Sequence, residues 1–287
     1  MLAEVLTQLV IVIGLLLPIS IAVFIGRERL VRTHAEWRSR LRTSAPTIAV
    51  LLVVLLINRV ARQRAPRLSR EIGRHLTATF YNIEGEFILI FQSIANPETT
   101  AYFSSIYVYG YTFLLIFPII LYFTLSDTRI FRRLLTAYAL NYAIGLVLYI
   151  LVIAYGPRNV MPSEVAETML YDTNPQYQYL TREVNSNTNV FPSLHTSLSA
   201  TVATFAAITR STFPKWFLLA VVLAASVAIS TMFLGIHWGI DVVAGLLLAA
   251  LCVVLSDRLV GRWSLSELLR DRLQQFEDRI RGLNGNE

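Results

Sequence analysis

The chain is poor in charged residues, in lysine and in cysteine, and each scarcity excludes a class of protein. Charged residues make up 15% of its 287 residues, against about 25% in soluble globular domains. The single cysteine, Cys252, lies in an apolar run, so an intramolecular disulfide is excluded and a cysteine-based metal site is not expected. Lys215 is the only lysine. Outside the apolar runs, the sequence has no repeated pattern of basic and aromatic residues, which argues against nucleic-acid binding.

What the chain has in abundance is apolar sequence. Hydrophobic residues make up 55% of it and the mean hydropathy is +0.55. Seven runs approach the roughly 20 apolar residues that a helix needs to cross a bilayer; they are 5–25, 45–60, 102–125, 134–155, 193–210, 214–234 and 238–256. The first run lacks the basic start of a secretory signal, so we expect it to be a retained span. The prediction is an all-α polytopic integral membrane bundle of about six or seven spans.

The basic residues predict how this bundle is oriented. Basic residues follow the third span, lie between the fifth and the sixth, and follow the seventh; they are Arg129, Arg132, Arg133, Arg210, Lys215, Arg258 and Arg262. They would all lie on one side of a cell membrane, which we assign as the cytoplasmic side. One group conflicts with this assignment if the run 45–60 crosses: Arg62, Arg64, Arg67, Arg70 and Arg74. Either these arginines lie flat on lipid headgroups or that run does not cross.

Three regions follow from these patterns. We predict N-terminal spans with basic and interfacial segments over 1–100, a membrane core over 101–256 and a cytoplasmic amphipathic tail over 257–287. The mixed segment 76–100 favours a re-entrant or interfacial helix, with Glu84 and Glu86 solvated at the interface. Apolar residues at helical spacing over 264–287 predict a helix that lies on the membrane or pairs with a partner, including a second copy of the chain.

Two short motifs about 40 residues apart contain two of the four histidines. The first reads Phe191-Pro192-Ser193-Leu194-His195-Thr196, and the second runs from Ser230-Thr231 to His237-Trp238-Gly239-Ile240-Asp241. Pro192 suits the first turn of a helix, where unpaired N–H groups and the hydroxyls of Ser193 and Thr196 would donate hydrogen bonds to a phosphate. His237 and Asp241, four residues apart, would share a helix face, so that the carboxylate orients the imidazole.

Each motif also has a simpler interpretation. The first could be an ordinary helix start with a histidine that reaches the interface, and the second a His–Asp pair that closes a helix end. An ionisable pair at a membrane edge is costly, however, and is usually functional. Together, the two motifs predict phosphoryl transfer to or from a lipid at the outer face.

Read together, the motifs resemble the type-2 phosphatidic acid phosphatase superfamily. The family's Pro-Ser-Gly-His signature is similar to Pro192-Ser193-Leu194-His195, and its last signature keeps Ser230, His237 and Asp241 at family spacing. Thr231 stands where the family has arginine, and the first signature is reduced to Tyr155-Gly156-Pro157-Arg158. Over residues 100–255 the likeness is closest to the inositol phosphorylceramide synthase branch.

The resemblance implies a mechanism. His237 would attack phosphorus to form a phosphohistidine, Asp241 would orient it, and His195 would act as general acid and then as general base. The non-bridging oxygens would be bound by Ser193, Ser230, Thr231 and Arg158. The resemblance implies no metal and no other cofactor.

The missing arginine bears on the substrate. A site with fewer cations should favour a phosphodiester, which carries one negative charge, over a phosphomonoester, which carries close to two. We therefore expect a lipid phosphatase or phosphotransferase that passes a phospho-headgroup between a lipid and an alcohol. A lipid-phosphate or polyprenyl-diphosphate phosphatase is the alternative, and a catalytically inactive lipid-binding or transport protein is the alternative from another class.

Overall fold

The computed structural model describes residues 2–162 and 190–261, most of which lie in helices. The helices are α1 (Leu2–Phe24), α2 (Arg27–Ile72), α3 (Thr77–Glu84), α4 (Leu89–Gln92), α5 (Pro97–Ser105), α6 (Tyr111–Phe123), α7 (Arg129–Leu151), α8 (Pro157–Val160), α9 (Leu194–Ile208), α10 (Pro214–Phe233) and α11 (Gly239–Leu259). A π-helical turn, Ile106–Gly110, joins α5 to α6. The predicted tail helix 264–287 lies outside the described residues.

The predicted polytopic bundle is confirmed over the described ranges. Six helical stretches there are long and apolar enough to cross a membrane: α1, α2, α5–α6 as one run, α7, α10 and α11. The fifth predicted span, 193–210, is the 15-residue helix α9, which at 1.5 Å per residue is about 22 Å long and shorter than the roughly 30 Å hydrocarbon core. One small departure from an all-α chain is a parallel pair of two-residue strands, β1 (Arg74–His75) and β2 (Val152–Ile153).

The run 45–60 is the middle of one 46-residue helix, α2. In the first half of α2, the buried Arg40 donates to the carbonyl of Phe123, the last residue of α6, and to that of Leu125, in the turn before α7. Further along, the Asn58 amide donates to the Tyr142 carbonyl, 2.8 Å away, in the middle of α7. Since α2 therefore lies along α7 in the same direction, it has the length to cross the bundle.

This packing places the arginines that follow residue 60 at the end of the bundle where α7 finishes. There, β1 pairs with β2 directly after α7. The next residues, 76–96, form no span and contain α3 and α4, and α5 begins the next spanning stretch at Pro97. An interfacial position for this segment stays a prediction.

The interior of the bundle is tightly packed around α9. At the end away from the two histidines, Phe117 and Trp216 are fully buried with their ring centroids 4.9 Å apart. Between α7 and α9, the buried Asn141 side chain donates to Thr201 and accepts from Ser197. These contacts hold α9 in the centre of the fold, where its first turn can form part of a site.

Candidate active site

The first motif forms the start of α9, although not in the predicted way. Ser193 is the N-cap, and its hydroxyl oxygen accepts from the Thr196 backbone N–H at 3.3 Å. Pro192 was expected inside the first helical turn, but it precedes the cap because the helix begins at Leu194. The hydroxyls of Ser193 and Thr196 lie 3.0 Å apart, and both residues are buried. His195, in the first turn, is half-buried.

The prediction that His237 and Asp241 share a helix face is wrong, because α11 begins only at Gly239. His237 lies in the turn between α10 and α11, where Gly235 has a φ of +64°, a conformation that favours glycine. The backbone N–H groups of Ile236 and His237 both donate to the Thr231 carbonyl, at 3.0 and 3.1 Å. This turn, rather than a helix, positions His237.

The two side chains nevertheless meet. Oδ2 of Asp241 accepts from the Trp238 backbone N–H at 2.9 Å, which fixes the carboxylate at the start of α11. The same oxygen lies 3.4 Å from Nδ1 of His237. His237 is 1% exposed and Asp241 is fully buried. A carboxylate at Nδ1 orients the ring so that Nε2 is the nitrogen that can attack.

The two histidines face each other at one end of the bundle. Their ring centroids are 6.4 Å apart, with 57° between the ring planes. His195 also packs against two tyrosines, Tyr107 at 4.6 Å in a stacked arrangement and Tyr111 at 4.4 Å. These two contacts were not predicted from the sequence. Both tyrosines lie at the π-helical turn, and π-helical turns are frequent at functional sites. This turn is visible only in the structure.

Backbone contacts tie the two motifs together. The Ser193 N–H donates to the Asp241 carbonyl at 3.0 Å. This approach needs a glycine on α11, because a Cβ at Gly245 would lie 2.6 Å from the Ser193 carbonyl oxygen. The starts of α9 and α11 therefore lie side by side, and with them the helix dipole ends that favour an anion.

Of the four residues predicted to bind phosphate, Ser193 caps α9 as described, and two more make hydrogen bonds within α10. The Ser230 hydroxyl donates to the Val227 carbonyl at 2.7 Å, and that of Thr231 donates to the Ala228 carbonyl at 2.7 Å. Each hydroxyl has one proton, so donating it to a phosphate would require a rotation.

Arg158, the remaining predicted phosphate ligand, is 9% exposed and lies beside the turn before His237. Its backbone N–H donates to the Gly235 carbonyl at 3.0 Å. The structure thus brings all seven predicted site residues to the same end of the bundle.

Glu84 has a role that the sequence interpretation missed. It was expected to be solvated at the interface, but its carboxylate accepts from the backbone N–H groups of Gly239 and Ile240, at 2.7 and 3.0 Å. These are unpaired donors at the start of α11, so Glu84 holds the end of the helix that carries Asp241. A contact between residues 155 positions apart leaves no local signal in the sequence.

Comparison with known proteins bears directly on this arrangement. No curated protein and no solved structure matches the chain. The family model described as the PAP2 superfamily matches residues 78–255, which is more than half of the chain and includes both motifs. With its histidine motifs brought together at one end of a membrane bundle, the chain belongs to the PAP2 superfamily.

Proposed function

We propose that the chain is a membrane enzyme that cleaves a lipid phosphate through a phosphohistidine on His237. The observation that carries the proposal is the 6.4 Å separation of the two imidazoles. In a near-attack arrangement, reacting atoms lie about 3–3.5 Å apart. Nitrogen atoms on opposite sides of one phosphoryl group are therefore about 6–7 Å apart, and rings whose centroids are 6.4 Å apart are close enough to serve the same phosphorus. Membership of the superfamily supports a phosphatase-type activity on lipid phosphate.

In the first half of the reaction, Nε2 of His237 attacks phosphorus and forms a P–N bond. The bond between phosphorus and the leaving oxygen breaks, and its electron pair stays on that oxygen. His195, as general acid, gives the oxygen a proton. Asp241, 3.4 Å from Nδ1 of His237, stabilises the positive charge that the ring acquires.

In the second half, His195 takes a proton from the acceptor, which is water in a phosphatase and an alcohol in a transferase. The acceptor oxygen attacks phosphorus, the P–N bond breaks, and its electron pair returns to His237. The non-bridging oxygens keep their charge throughout. Arg158 and the hydroxyls of Ser193, Ser230 and Thr231 are the proposed partners of these oxygens.

The finer proposal concerns the substrate. Because Thr231 is neutral where the superfamily has arginine, the motif lacks a bidentate clamp for a doubly charged phosphate. We infer that a phosphodiester lipid is preferred and that its phospho-headgroup is passed to an alcohol, as in an inositol phosphorylceramide synthase. Hydrolysis of a lipid phosphomonoester or a polyprenyl diphosphate is the second candidate, favoured by family membership.

The test compares purified wild-type protein with His237→Ala on phosphatidylinositol and on phosphatidic acid. We expect wild-type turnover of phosphatidylinositol to be faster, and we expect His237→Ala to lose at least about 10⁴-fold in kcat, as when a covalent nucleophile is removed. His34→Ala is the matched control, because His34 lies on α2 near the opposite end of the bundle.

Two outcomes would contradict parts of the proposal. Preferred release of free phosphate from phosphatidic acid would refute the diester preference. Hydrolysis of a lipid phosphomonoester would then be the function. Equal activity of His237→Ala and wild type, or lipid binding without turnover, would refute the enzyme and favour a lipid-binding or transport protein.

The same assay tests the side of the membrane. We propose that the site faces outward, because the histidines lie opposite the basic turn residues Arg129 and Arg210. A water-soluble short-chain substrate added to intact cells should then be turned over without permeabilisation. Turnover only after permeabilisation would show that the site faces the cytoplasm.

A further inference from the structure

Arg62 lies at the active-site end of α2, outside the residues that match the superfamily model. At 1.5 Å per residue it is about 33 Å along the helix from Arg40, a distance close to the roughly 30 Å thickness of a hydrocarbon core. Arg40 contacts the turn before α7 at the opposite end of the bundle. Arg62 is therefore expected at the boundary where the two histidines lie.

Two neighbours orient the half-buried Arg62 side chain. The Asn58 amide nitrogen donates to α7, and its Oδ1 accepts from Nε of Arg62 at 3.0 Å. The guanidinium carbon lies 5.7 Å from the centroid of the Tyr149 ring. This is the contact that attracts a cation to an aromatic face, and it keeps the guanidinium against α7.

Tyr149 connects Arg62 to the start of α9. The Tyr149 hydroxyl is hydrogen-bonded to the backbone of Leu194, the first residue of α9. Arg62 thus lies beside the helix start where the proposed phosphate binds.

The chemistry of a phosphate site calls for such a group. The superfamily arginine is replaced here by Thr231, whose hydroxyl donates to the Ala228 carbonyl. A guanidinium has five N–H donors in a rigid fork that matches phosphate oxygens. A half-buried position strengthens its attraction to an anion while leaving it accessible.

We propose that Arg62 binds the phosphate of the substrate and supplies the positive charge that Thr231 lacks. The inference rests on the proposed function of the two-histidine site and adds a ligand from a helix that the family model does not include. It also explains why an arginine lies on the side of the membrane where basic residues are not expected.

The test is the binding of inorganic vanadate, a phosphate mimic, to the full-length protein in neutral detergent. We compare wild type with Arg62→Gln and with Arg67→Gln. Arg67 is the matched control, because it lies on the same helix, its side chain is 86% exposed and it pairs with Glu71 at 3.7 Å. We expect Arg62→Gln to raise the Kd for vanadate at least about tenfold, the effect of losing one charge-assisted contact, and Arg67→Gln to leave it unchanged.

Lipid turnover gives the second measurement. Arg62→Gln should lower kcat/KM about 10²–10³-fold, as when one donor to the reacting oxygens is lost. Arg62→Lys should retain part of the activity, and added guanidinium should restore part of it to Arg62→Ala. These rescues distinguish phosphate binding from a loss of folding, which would not respond to charge or to guanidinium.

The outcomes separate this inference from the proposed function. Equal vanadate Kd values for Arg62→Gln and wild type would overturn the inference, even if His237→Ala abolished turnover. A wild-type protein that bound no vanadate would overturn it as well. Loss of vanadate binding in Arg62→Gln, together with turnover that does not depend on His237, would support the anion site and refute the phosphohistidine.

Discussion

Among single residues, Thr231 occupies the position at which the resembled motif has arginine. Its backbone carbonyl accepts from Ile236 and His237, so it helps to position the proposed nucleophile. Its side chain contributes no charge and is fully buried. The backbone at this position therefore supports the proposed site, whereas the neutral side chain adds no positive charge to it.

Thr231→Arg should shift the substrate preference toward phosphomonoesters. A second guanidinium near the phosphate favours the doubly charged form, and we expect the ratio of kcat/KM for phosphatidic acid to that for phosphatidylinositol to rise at least about tenfold. Both substrates are measured on one preparation, so the ratio does not depend on the fraction that is folded. An unchanged ratio would show that Thr231 does not control substrate charge.

At the level of elements, the site depends on how closely α9 approaches α11. The Ser193 N–H donates to the Asp241 carbonyl at 3.0 Å, and no side chain separates the helices at Gly245. On its other side α9 is held to α7 by the buried Asn141, in a bond of the kind worth about 0.6 kcal/mol in membranes. Packing on both sides of α9 therefore fixes the position of His195.

Gly245→Ala should impair catalysis more than folding. The added Cβ would lie 2.6 Å from the Ser193 carbonyl oxygen, so the starts of the two helices must move apart. A displacement of about 1 Å can cost about 10²-fold in rate, and we expect a loss of about 10–100-fold in kcat/KM with the protein still folded. Gly14→Ala is the control, because nothing lies within 4 Å of its Cβ. Equal activity of the two variants would refute the role of this close approach.

The elements were more predictable from the sequence than their contacts. Apolar runs predicted 5–25 and 214–234, which the structure has as Leu2–Phe24 and Pro214–Phe233. The same method predicted only the middle of α2, because the charged residues on both sides of 45–60 hide a continuous helix.

Side-chain contacts between distant segments were not predictable. The residue types and spacing indicated His195, His237 and Asp241, and the structure brings them together. Tyr107 contacts His195, Glu84 contacts the start of α11, and Arg62 contacts Tyr149 only through tertiary packing, about which periodicity carries no information.

For the whole molecule, the bundle gathers groups that are far apart in the sequence at one of its ends. The starts of α9 and α11 come from the family core, and α2 adds a long helix beside α7. Together they surround two imidazoles that are 6.4 Å apart. The central claim is that one phosphorus atom is bound between those rings and becomes covalently attached to His237 during turnover.

Mass spectrometry of the enzyme, quenched in alkali during turnover of phosphate-labelled lipid, tests that claim most directly. We predict a labelled adduct on His237, absent from His237→Ala and present in Arg67→Gln. The mass of the adduct will distinguish a phosphoryl group from a phospho-headgroup, and hence phosphomonoester from phosphodiester chemistry. Continued turnover with no label on His237, or with the label on another residue, would contradict the account.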